Sequence, residues 1–469
     1  MDRWISASAL GLGADLVSDD GAFRSSTGSR LAPSGPTRKP ARMAEWVERD
    51  AAVVWHGFTQ MSTYADNQPI IVERAEGREL IDVDGNRYLD AISSLWVTTL
   101  GHRVPQLDDA IRAQLDLVAH STLLGNGNRV VIELAEALAE MVPVKDPHFL
   151  FASDGAAAVE QALKIAFQHW VNLGVTDRTR YLALGGAYHG DTVGSLSLGA
   201  GGFGTEVFDP LRFSVLRGSG YESRTWLAEA LALLDETAST LAAVVVEPLV
   251  QGAAGIEVAD PAEVRTLAEA CRAAGVLLVC DEVATGFGRT GTLFASEQCE
   301  IKPDIVCLGK GITGGYLPMS ATVVTGEVFA SFLGPDLGER TLYHGHSYGG
   351  NALAAAVAQR HLQLFVEWDV LTNVRARTIQ LSELLASRLP ALPAKSEVRQ
   401  RGLMCGVELL PPTGDLRWGR GVCAAAVRRG VLLRPLGDVV VIMPPLTITH
   451  DEVARIVDVL CDAITEVCA

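Results

Sequence analysis

The chain is poor in positive charge and has no long apolar run. Its 39 lysine and arginine residues face 56 aspartate and glutamate residues, which gives a net charge of −17. A polyanion would be repelled, so a nucleic-acid partner is not expected. No apolar run is as long as a membrane span, which argues against a membrane protein. The remaining composition, 48% hydrophobic and 20% charged over 469 residues, is typical of a globular protein with two or three domains.

The chain also lacks paired cysteines. All eight cysteines lie between Cys271 and Cys468, and none forms a C-x-x-C motif. Several of them fall inside apolar runs. This distribution favours buried thiols in a reducing cytoplasm over disulfides or a metal site.

The first 42 residues lack the apolar periodicity of the rest of the chain. The stretch SSTGSRLAPSGPTRKPAR is rich in Ser, Gly, Pro and Arg, which predicts disorder. Acidic residues argue against a transit peptide, and no apolar segment ends in a small-residue cleavage site. We interpret residues 1–42 as a disordered tail or an over-extended start, and expect folded sequence from Met43.

From about residue 70, predicted strands alternate with predicted helices. ELIDVDGNRYLDA predicts a hairpin, and HFLFASDGAAAVEQALKIAFQHW predicts a strand, a turn and a helix. RYLALGG, LAAVVVEP and VLLVCDEV predict further strands with almost continuous apolar character. This pattern predicts an α/β fold with a mostly parallel sheet covered on both faces, whose ligands bind beyond the carboxyl ends of the strands. After a helix near residues 352–367, the pattern predicts a smaller α+β domain.

Lys310 sits between two glycines after the apolar run DIVCL. A surface lysine in a loop is the simpler interpretation of this residue alone. A buried lysine has a lowered pKa, however, and its neutral amine can attack an aldehyde.

Two other predicted strands end in residues with related chemistry. Asp281 follows the apolar run Val276–Cys280 and needs a cationic partner, either an arginine such as Arg289 or a protonated pyridine nitrogen. Gly155 and Ala156, between a strand and a helix, offer backbone N–H groups to a phosphate. A phosphate cradle, a carboxylate and a reactive lysine are together what pyridoxal 5'-phosphate requires.

The loop sequence AYHGDT adds a fourth candidate. Tyr188 can stack on a cofactor ring, and Asp191 can hold a substrate amine. A structural polar loop is the competing interpretation of these residues.

As a set, several segments are highly specific for one superfamily. The chain resembles the class III aminotransferases of fold type I, from about Trp55 to its C-terminus. The segments that carry the resemblance are WHGFTQM, HSTLLGNGN, YHGDTVGSLSLG, VVVEPLVQGAAGI, CDEVATGFGRTGTLFASE, PDIVCLGKGITGGYLPMSAT, YHGHSYGGNALAAAVA and RPLGDVVVIMPP.

The resemblance implies a domain arrangement. It implies a large cofactor-binding domain, residues 93–367, built on a mostly parallel seven-stranded sheet. Residues 43–92 and 368–469 would form the smaller α+β domain.

Within the superfamily the chain is most similar to the diaminopelargonate synthases of biotin biosynthesis. Ala284 stands where many relatives carry glutamine, and Ala253 stands where ornithine- and aminobutyrate-type enzymes carry a glutamate. Both departures match this subfamily, as does RPLGD followed by MPP. The resemblance implies ping-pong amination of 8-amino-7-oxononanoate to 7,8-diaminononanoate.

The resemblance also implies a role for each cofactor residue. Lys310 would bind the cofactor covalently and shuttle a proton, and Asp281 would keep the pyridine nitrogen protonated. Gly155 and Ala156 would bind phosphate through their backbone, although the family usually has serine at Ala156.

A second group of implied roles concerns the dimer and the substrates. Ser347, with Gly345 and His346 beside it, would reach the phosphate of a neighbouring subunit, which makes a homodimer obligatory. Arg434 would bind the far carboxylate of the acceptor, although a structural arginine is the alternative without the resemblance.

The amino donor divides the subfamily. Members that use S-adenosylmethionine typically carry H-P-Y-T, two successive tryptophans, H-V-M-F-G-G and G-P-T-F. This chain has HGFT at Phe58, Leu95 before Trp96, HSTLLG, and GHSY from Gly345. These departures lie where the resemblance places the substrate channel, and they favour lysine as the donor.

Three alternatives remain at this stage. A broad ω-amino acid or amine–pyruvate aminotransferase shares the class, but Ala253, Ala284 and Arg434 argue against it. An aminomutase shares the fold but needs no external donor. A pyridoxal-binding transcription regulator would need a DNA-binding domain, for which residues 1–42 are too short and the charge is wrong.

Overall fold

The computed structural model describes residues 43–200, 204–413 and 416–468. The expectations for residues 1–42 lie outside these ranges. The α-helical segments are α1 Met43–Val53, α2 Ser93–Trp96, α3 Pro105–Leu115, α4 Arg129–Ala139, α5 Gly155–Asn172, α6 Val193–Leu198, α7 Trp226–Thr237, α8 Pro261–Ala273, α9 Ala295–Gln298, α10 Gly326–Ala330, α11 Ala352–Glu367, α12 Val370–Arg388, α13 Trp418–Arg428 and α14 His450–Cys468.

The strands complete the described secondary structure, with short 3-10 helices between them. The strands are β1 Val72–Glu76, β2 Glu79–Asp82, β3 Arg87–Asp90, β4 His148–Ala152, β5 Arg180–Leu184, β6 Leu216–Gly218, β7 Leu241–Val246, β8 Val250–Gln251, β9 Glu257–Val258, β10 Leu277–Asp281, β11 Ile305–Leu308, β12 Ser320–Val324, β13 Ser396–Arg401, β14 Met404–Leu409, β15 Val431–Leu432, β16 Arg434–Leu436 and β17 Val439–Ile442. The 3-10 helices are Met61–Thr63, Ala65–Asn67, Thr205–Leu211, Ala238–Thr240, Lys310–Thr313 and Leu389–Ala391.

The largest sheet has seven strands in the order β4-β12-β11-β10-β7-β5-β6. β12 runs antiparallel to both of its neighbours, and the remaining described pairs are parallel. β7, β10, β11 and β12 are buried along their whole length. The predicted α/β fold with a mostly parallel sheet is therefore confirmed, and it brings the carboxyl ends of the parallel strands to one edge.

Three smaller sheets accompany it in the described residues. One has the order β1-β2-β3-β15 and includes the predicted hairpin, in which β2 and β3 pair antiparallel. Another has the order β13-β14-β17-β16 and is antiparallel, with α13 and α14 packed together nearby. The third is the antiparallel pair β8-β9. The division into a domain of residues 93–367 and one of residues 43–92 and 368–469 stays a proposal, which this separation of the sheets supports.

The cysteines and the helices bear on two further expectations. Six of the eight cysteines are buried and two are partly buried, and all eight are free thiols. None of the helices in the described ranges combines the length and apolar character needed to cross a bilayer.

Candidate active site

A cavity of about 480 Å³ lies at the carboxyl ends of the parallel strands. It brings together seven of the residues singled out from the sequence: Trp96, Gly155, Ala156, Tyr188, Asp191, Asp281 and Lys310. It is also lined by Asp154, His189, Gly190, Thr192, Glu247, Ala253, Val283 and Ala284. Most of these residues are far apart in the chain and meet here because they follow, or end, strands of the same seven-stranded sheet, whereas Trp96 follows β3 of another sheet.

Lys310 opens the 3-10 helix that follows β11. Its φ of +40° lies in the left-handed region, which costs free energy for a residue other than glycine and often marks a functional site. Nζ lies 4.6 Å from the centroid of the Trp96 ring. Burial lowers the pKa of Lys310, and the charges of Asp281 and Glu247 act in the opposite direction. Burial of the amine favours its reactive neutral form.

Asp281 is the last residue of β10, and both carboxylate oxygens have partners. Oδ2 lies 2.7 Å from Nδ1 of His189, and Oδ1 accepts a hydrogen bond of 3.0 Å from the backbone N–H of Val283. The expected alternative, a pair with Arg289, does not occur. The buried Arg289 guanidinium donates instead to the carbonyl oxygens of Pro444 and Thr98, at 2.6 and 2.9 Å.

His189 links Asp281 to the cavity wall and is itself buried. Burial lowers its pKa, but the hydrogen bond and charge of Asp281 outweigh burial, so the pKa is raised. Nε2 is buried and has no hydrogen-bond partner among the described residues. The hydrogen bond from His189 orients the Asp281 carboxylate.

Glu247 is a second buried acid at the cavity, just after the end of β7. Oε1 accepts from the backbone N–H of Tyr188 at 3.0 Å, and Oε2 accepts from that of Gly252 at 3.2 Å. Burial raises the pKa of Glu247 to about 7. Its side chain thus connects the loop that carries Tyr188 to the loop after β7.

The start of α5 provides an anion-binding cradle. Asp154 caps the helix, because its Oδ1 accepts from the N–H of Ala157 at 2.9 Å. The N–H groups of Gly155 and Ala156 have no partner within the described residues. A Cβ on Gly155 would lie 2.6 Å from Cγ1 of Val283, so only glycine fits between the helix and the loop after β10. These features fit a phosphate group at the helix N-terminus.

Tyr188 and Asp191 also line the cavity and contact each other. The Tyr188 hydroxyl donates to Oδ2 of Asp191 at 2.8 Å. Burial and the hydrogen bond to Asp191 raise the pKa of Tyr188, which keeps the phenol neutral. Asp191 is exposed and can meet a cation that enters from solvent.

Six of the residues singled out from the sequence do not line this cavity: Phe58, Leu95, Gly345, His346, Ser347 and Arg434. The side chains of Phe58 and Leu95 are 64% and 47% exposed. Arg434 is exposed on β16, opposite Val441, whose side chain belongs to the apolar cluster that contains Trp96. Cross-strand neighbours share a face, so Arg434 lies on the face of its sheet that is turned toward that cluster.

Gly345 and His346 line a separate cavity of about 430 Å³. Nε2 of His346 lies 2.8 Å from Oγ of Ser153, which precedes the α5 cap. The carbonyl of Ser347 accepts from Nε2 of His120 at 2.8 Å, and Ser347 itself is exposed. The segment is thus close to the start of α5 but does not reach the Lys310 cavity within one chain.

Sequence reasoning missed His189, Glu247 and Val283 as cavity residues. Glu247 carries the same signal as Asp281, an acid at the end of an apolar run. His189 belongs to the AYHGDT loop, next to Tyr188, but the sequence does not indicate which acidic residue it would bind. Val283 offers no signal, because its role follows only from its contact distance to Gly155.

Sequence comparisons with known proteins identify the family to which the chain is similar. The sequence model of the family Aminotransferase class-III matches residues 60–464. This chain is 45% identical in sequence to the adenosylmethionine-8-amino-7-oxononanoate aminotransferase of Nitratidesulfovibrio vulgaris. The alignment covers 92% of this chain and 84% of the length of that relative.

Solved structures with a similar fold are also aminotransferases. The crystal structure of adenosylmethionine-8-amino-7-oxononanoate aminotransferase from Methanocaldococcus jannaschii superposes with a TM-score of 0.87 at 38% identity, over 91% of this chain and all of that one. An amine transaminase from an uncultivated Pseudomonas species, solved in a pyridoxal-phosphate-bound form, superposes with a TM-score of 0.84 at 32% identity, over 88% and 99% of the two chains.

Proposed function

The chain belongs to the class III aminotransferases, and from that premise we propose that it aminates the C7 keto group of 8-amino-7-oxononanoate to give 7,8-diaminononanoate. The observation that carries the proposal is the meeting of Lys310, Asp281 and the α5 N-terminus in one cavity. The names of the relatives from N. vulgaris and M. jannaschii support the acceptor. Ala253 and Ala284 line the cavity where other subfamilies carry larger polar residues, which supports the same assignment.

We propose pyridoxal 5'-phosphate as the cofactor. When bound, it supplies an aldehyde that carries the amino group and a ring that takes up electrons. The free N–H groups of Gly155 and Ala156 would hold its phosphate, and Tyr188 would lie against its ring. Asp281, held by His189 and by the Val283 N–H, would keep a proton on its pyridine nitrogen.

Lys310 carries out the proton transfers of the reaction. Burial lowers the pKa of its amine, so the neutral form that can act as a base is more accessible than in an exposed lysine. Its Nζ would accept the proton that leaves the substrate carbon bearing the amino group, and would donate that proton again later in the reaction. The Trp96 ring limits the space in which the amine moves.

The substrates would be bound mainly by charge. Asp191, exposed at the cavity, would hold the substrate amine, and Arg434 would pair with the far carboxylate of the acceptor. From the departures at Phe58 and Leu95 we propose lysine as the amino donor. The printed names of the relatives carry adenosylmethionine instead, and a donor assay therefore decides this point.

A homodimer with a shared active site follows from the same proposal. Ser347 is exposed and does not line its own cavity, so it is free to reach the phosphate site of a second copy. We also propose a cytoplasmic location, which the eight free thiols support.

Reductive trapping tests the proposed function. The purified enzyme is treated with borohydride, digested and analysed by mass spectrometry. We expect the cofactor mass on the peptide that contains Lys310, and we expect Lys310→Ala to lose transamination. Substantial activity in Lys310→Ala would overturn the assignment.

A panel of acceptors separates this function from its closest alternative. A broad amine–pyruvate aminotransferase is supported by the structural likeness to the Pseudomonas amine transaminase. We expect 8-amino-7-oxononanoate to be aminated with a far higher kcat/KM than pyruvate. A preference for pyruvate would favour the alternative.

A further inference from the structure

The short segment α2, Ser93–Trp96, is not a regular right-handed helix but a turn whose backbone residues other than glycine rarely adopt. Ser93, Ser94, Leu95 and Trp96 have φ angles of +50°, +47°, +73° and +71°. The left-handed conformation costs about 1–2 kcal/mol for each such residue, and it normally occurs at single positions. Four in succession therefore require surrounding contacts that fix the turn.

Asp90, the last residue of β3, provides one group of these contacts. Its side chain is fully buried. Oδ1 accepts from the backbone N–H of Ser94 at 2.9 Å, and Oδ2 accepts from the Ser94 hydroxyl at 2.8 Å. Oδ2 also lies 2.9 Å from Nε2 of His102. The carboxylate thus binds the turn by two hydrogen bonds and is itself held by a third.

Ser93 provides a second anchor on the other side of the turn. Its hydroxyl donates to the carbonyl of Met443 at 2.7 Å, and the Met443 N–H donates to the carbonyl of Ala91, also at 2.7 Å. The turn is therefore fixed both to the end of β3 and to the segment that follows β17.

The turn decides which side chain faces Lys310. Trp96 is 7% exposed and lies over the Lys310 amine, whereas the neighbouring Leu95 is 47% exposed. An ammonium group within about 6 Å of an indole face is stabilised by the ring quadrupole. The charge state of the Lys310 amine should therefore depend on whether the turn keeps its left-handed form.

We propose that Asp90 is a positioning residue that holds this turn through Ser94 and thereby fixes the indole of Trp96 over the Lys310 amine. The proposal deepens the function proposed above, since Lys310 is the amine that carries that reaction. A purely structural Asp90 would stabilise the fold without affecting Lys310. The two roles make different predictions for the titration of the amine.

Several charged groups also act on Lys310 and must stay constant in the test. Burial lowers the pKa of Lys310, Asp281 and Glu247 raise it, and Arg289 lowers it further. None of these residues is changed in the experiment. Removal of the Asp90 charge could itself lower the pKa of Lys310, independently of the ring. A double-mutant cycle separates that effect from one transmitted through Trp96.

The experiment measures the amine directly. The full-length chain is freed of its carbonyl cofactor, and labelling of Lys310 by an acylating reagent is followed by mass spectrometry as a function of pH. We expect Trp96→Leu and Asp90→Ala each to lower the apparent pKa of Lys310 by about half a unit. We expect the double variant to shift it no further than Trp96→Leu alone. If Asp90→Ala fails to fold, Ser94→Ala, which removes only the hydroxyl bond, should give a smaller shift in the same direction.

Asp82 offers a matched control. It is a similarly buried aspartate that holds the turn after β2, accepting from the N–H groups of Asp84 and Asn86, the Asn86 amide and the Tyr88 hydroxyl. Asp82→Ala should lower the melting temperature and leave the titration of Lys310 unchanged.

Three results would overturn the proposal. They are an unchanged Lys310 titration in Asp90→Ala and Ser94→Ala, shifts that add fully in the double variant, and no shift in Trp96→Leu. Labelling needs no transamination, so the test stands apart from the proposed reaction. An enzyme without aminotransferase activity would refute that function while these outcomes kept their meaning.

Discussion

Nδ1 of His189 lies 2.7 Å from Oδ2 of Asp281, and both side chains are buried at the carboxyl end of β10. The Asp281 bond raises the pKa of His189 in spite of burial. His189 therefore keeps its positive charge to a higher pH than an isolated histidine. Its charge affects both stability and the orientation of Asp281.

Stability should show the titration of His189. Because the folded-state pKa is raised, the pair contributes fully below an ordinary histidine pKa of about 6.5, and the contribution is lost as pH rises through the folded-state pKa. Removing one partner of a buried pair costs about 3–5 kcal/mol. We expect His189→Gln to melt well below the wild type at low pH, with a gap that narrows as pH rises.

The measurement is the melting temperature across about pH 5.5 to 9, a range that spans the pKa of ordinary histidine. His450→Gln is the control, since His450 is 69% exposed and pairs only with the exposed Asp451. That variant should follow the wild type at each pH. A gap for His189→Gln that is constant or widens with pH would contradict the prediction.

The close approach at Gly155 gives a second prediction. A Cβ there would lie 2.6 and 3.1 Å from the two Cγ atoms of Val283, so Gly155→Ala must push Val283 or the start of α5 away. Such overpacking typically costs about 1–3 kcal/mol. We expect a lower melting temperature and weaker binding of pyridoxal 5'-phosphate, measured by fluorescence titration.

Gly57→Ala is the matched control for this change. A Cβ on Gly57 meets nothing within 4 Å, and its φ is not in the left-handed region. Cofactor affinity should therefore stay within about twofold of the wild type, since an exposed substitution of this kind changes little. Equal losses in both variants would argue against a cradle at the start of α5.

The sequence predicted the strand ends well, because the signals there are local. Asp281 and Lys310 each follow an apolar run that can only be a buried strand, and the sheet then brings the two together. Glu247 follows the same kind of run, yet its bonds to Tyr188 and Gly252 depend on loop geometry that no periodicity encodes.

Other features depended on contacts between distant segments. The sequence offers Arg289 as a possible partner of Asp281 because the two residues are close in the chain. In the fold the two Nη atoms of Arg289 donate instead to the carbonyls of Pro444 and Thr98, each more than 150 residues away in the chain. The left-handed turn at Ser93–Trp96 contains no glycine, so the usual sequence signal for a positive φ is missing.

Arg434 gives a third prediction, which concerns the acceptor. If it pairs with the far carboxylate of 8-amino-7-oxononanoate, Arg434→Ala should raise the KM for that substrate by about tenfold or more and change the donor KM little. Arg428→Ala is the control, because Arg428 is an exposed arginine on the adjacent α13 that pairs with Glu466. Steady-state kinetics with each substrate varied in turn gives both constants.

An equal rise in the KM for donor and acceptor would be compatible with two roles of Arg434, a structural role and a carboxylate site shared by both substrates. A second donor separates these roles. A donor without a carboxylate cannot use Arg434 as a charge partner. If the donor effect persists with such an amine, Arg434 has a structural role and does not pair with the acceptor carboxylate. If the effect disappears, donor and acceptor share the carboxylate site.

The amino donor is the fourth prediction. Phe58 lacks the phenol hydroxyl, and Leu95 lacks the indole face, on which a sulfonium could rest by cation–π attraction. Both residues are exposed, Phe58 by 64% and Leu95 by 47%.

Because these two groups are missing, we expect lysine to convert the cofactor-loaded enzyme in a single turnover, and S-adenosylmethionine to react much more slowly. The conversion is followed by absorbance. The double change Phe58→Tyr and Leu95→Trp should speed the reaction with S-adenosylmethionine by about tenfold. Leu333→Trp, at a leucine that is 56% exposed and that the resemblance does not place in the substrate channel, should not. Rapid conversion by S-adenosylmethionine with none by lysine would reverse the donor assignment and leave the acceptor assignment intact, because the acceptor is bound in the other half-reaction.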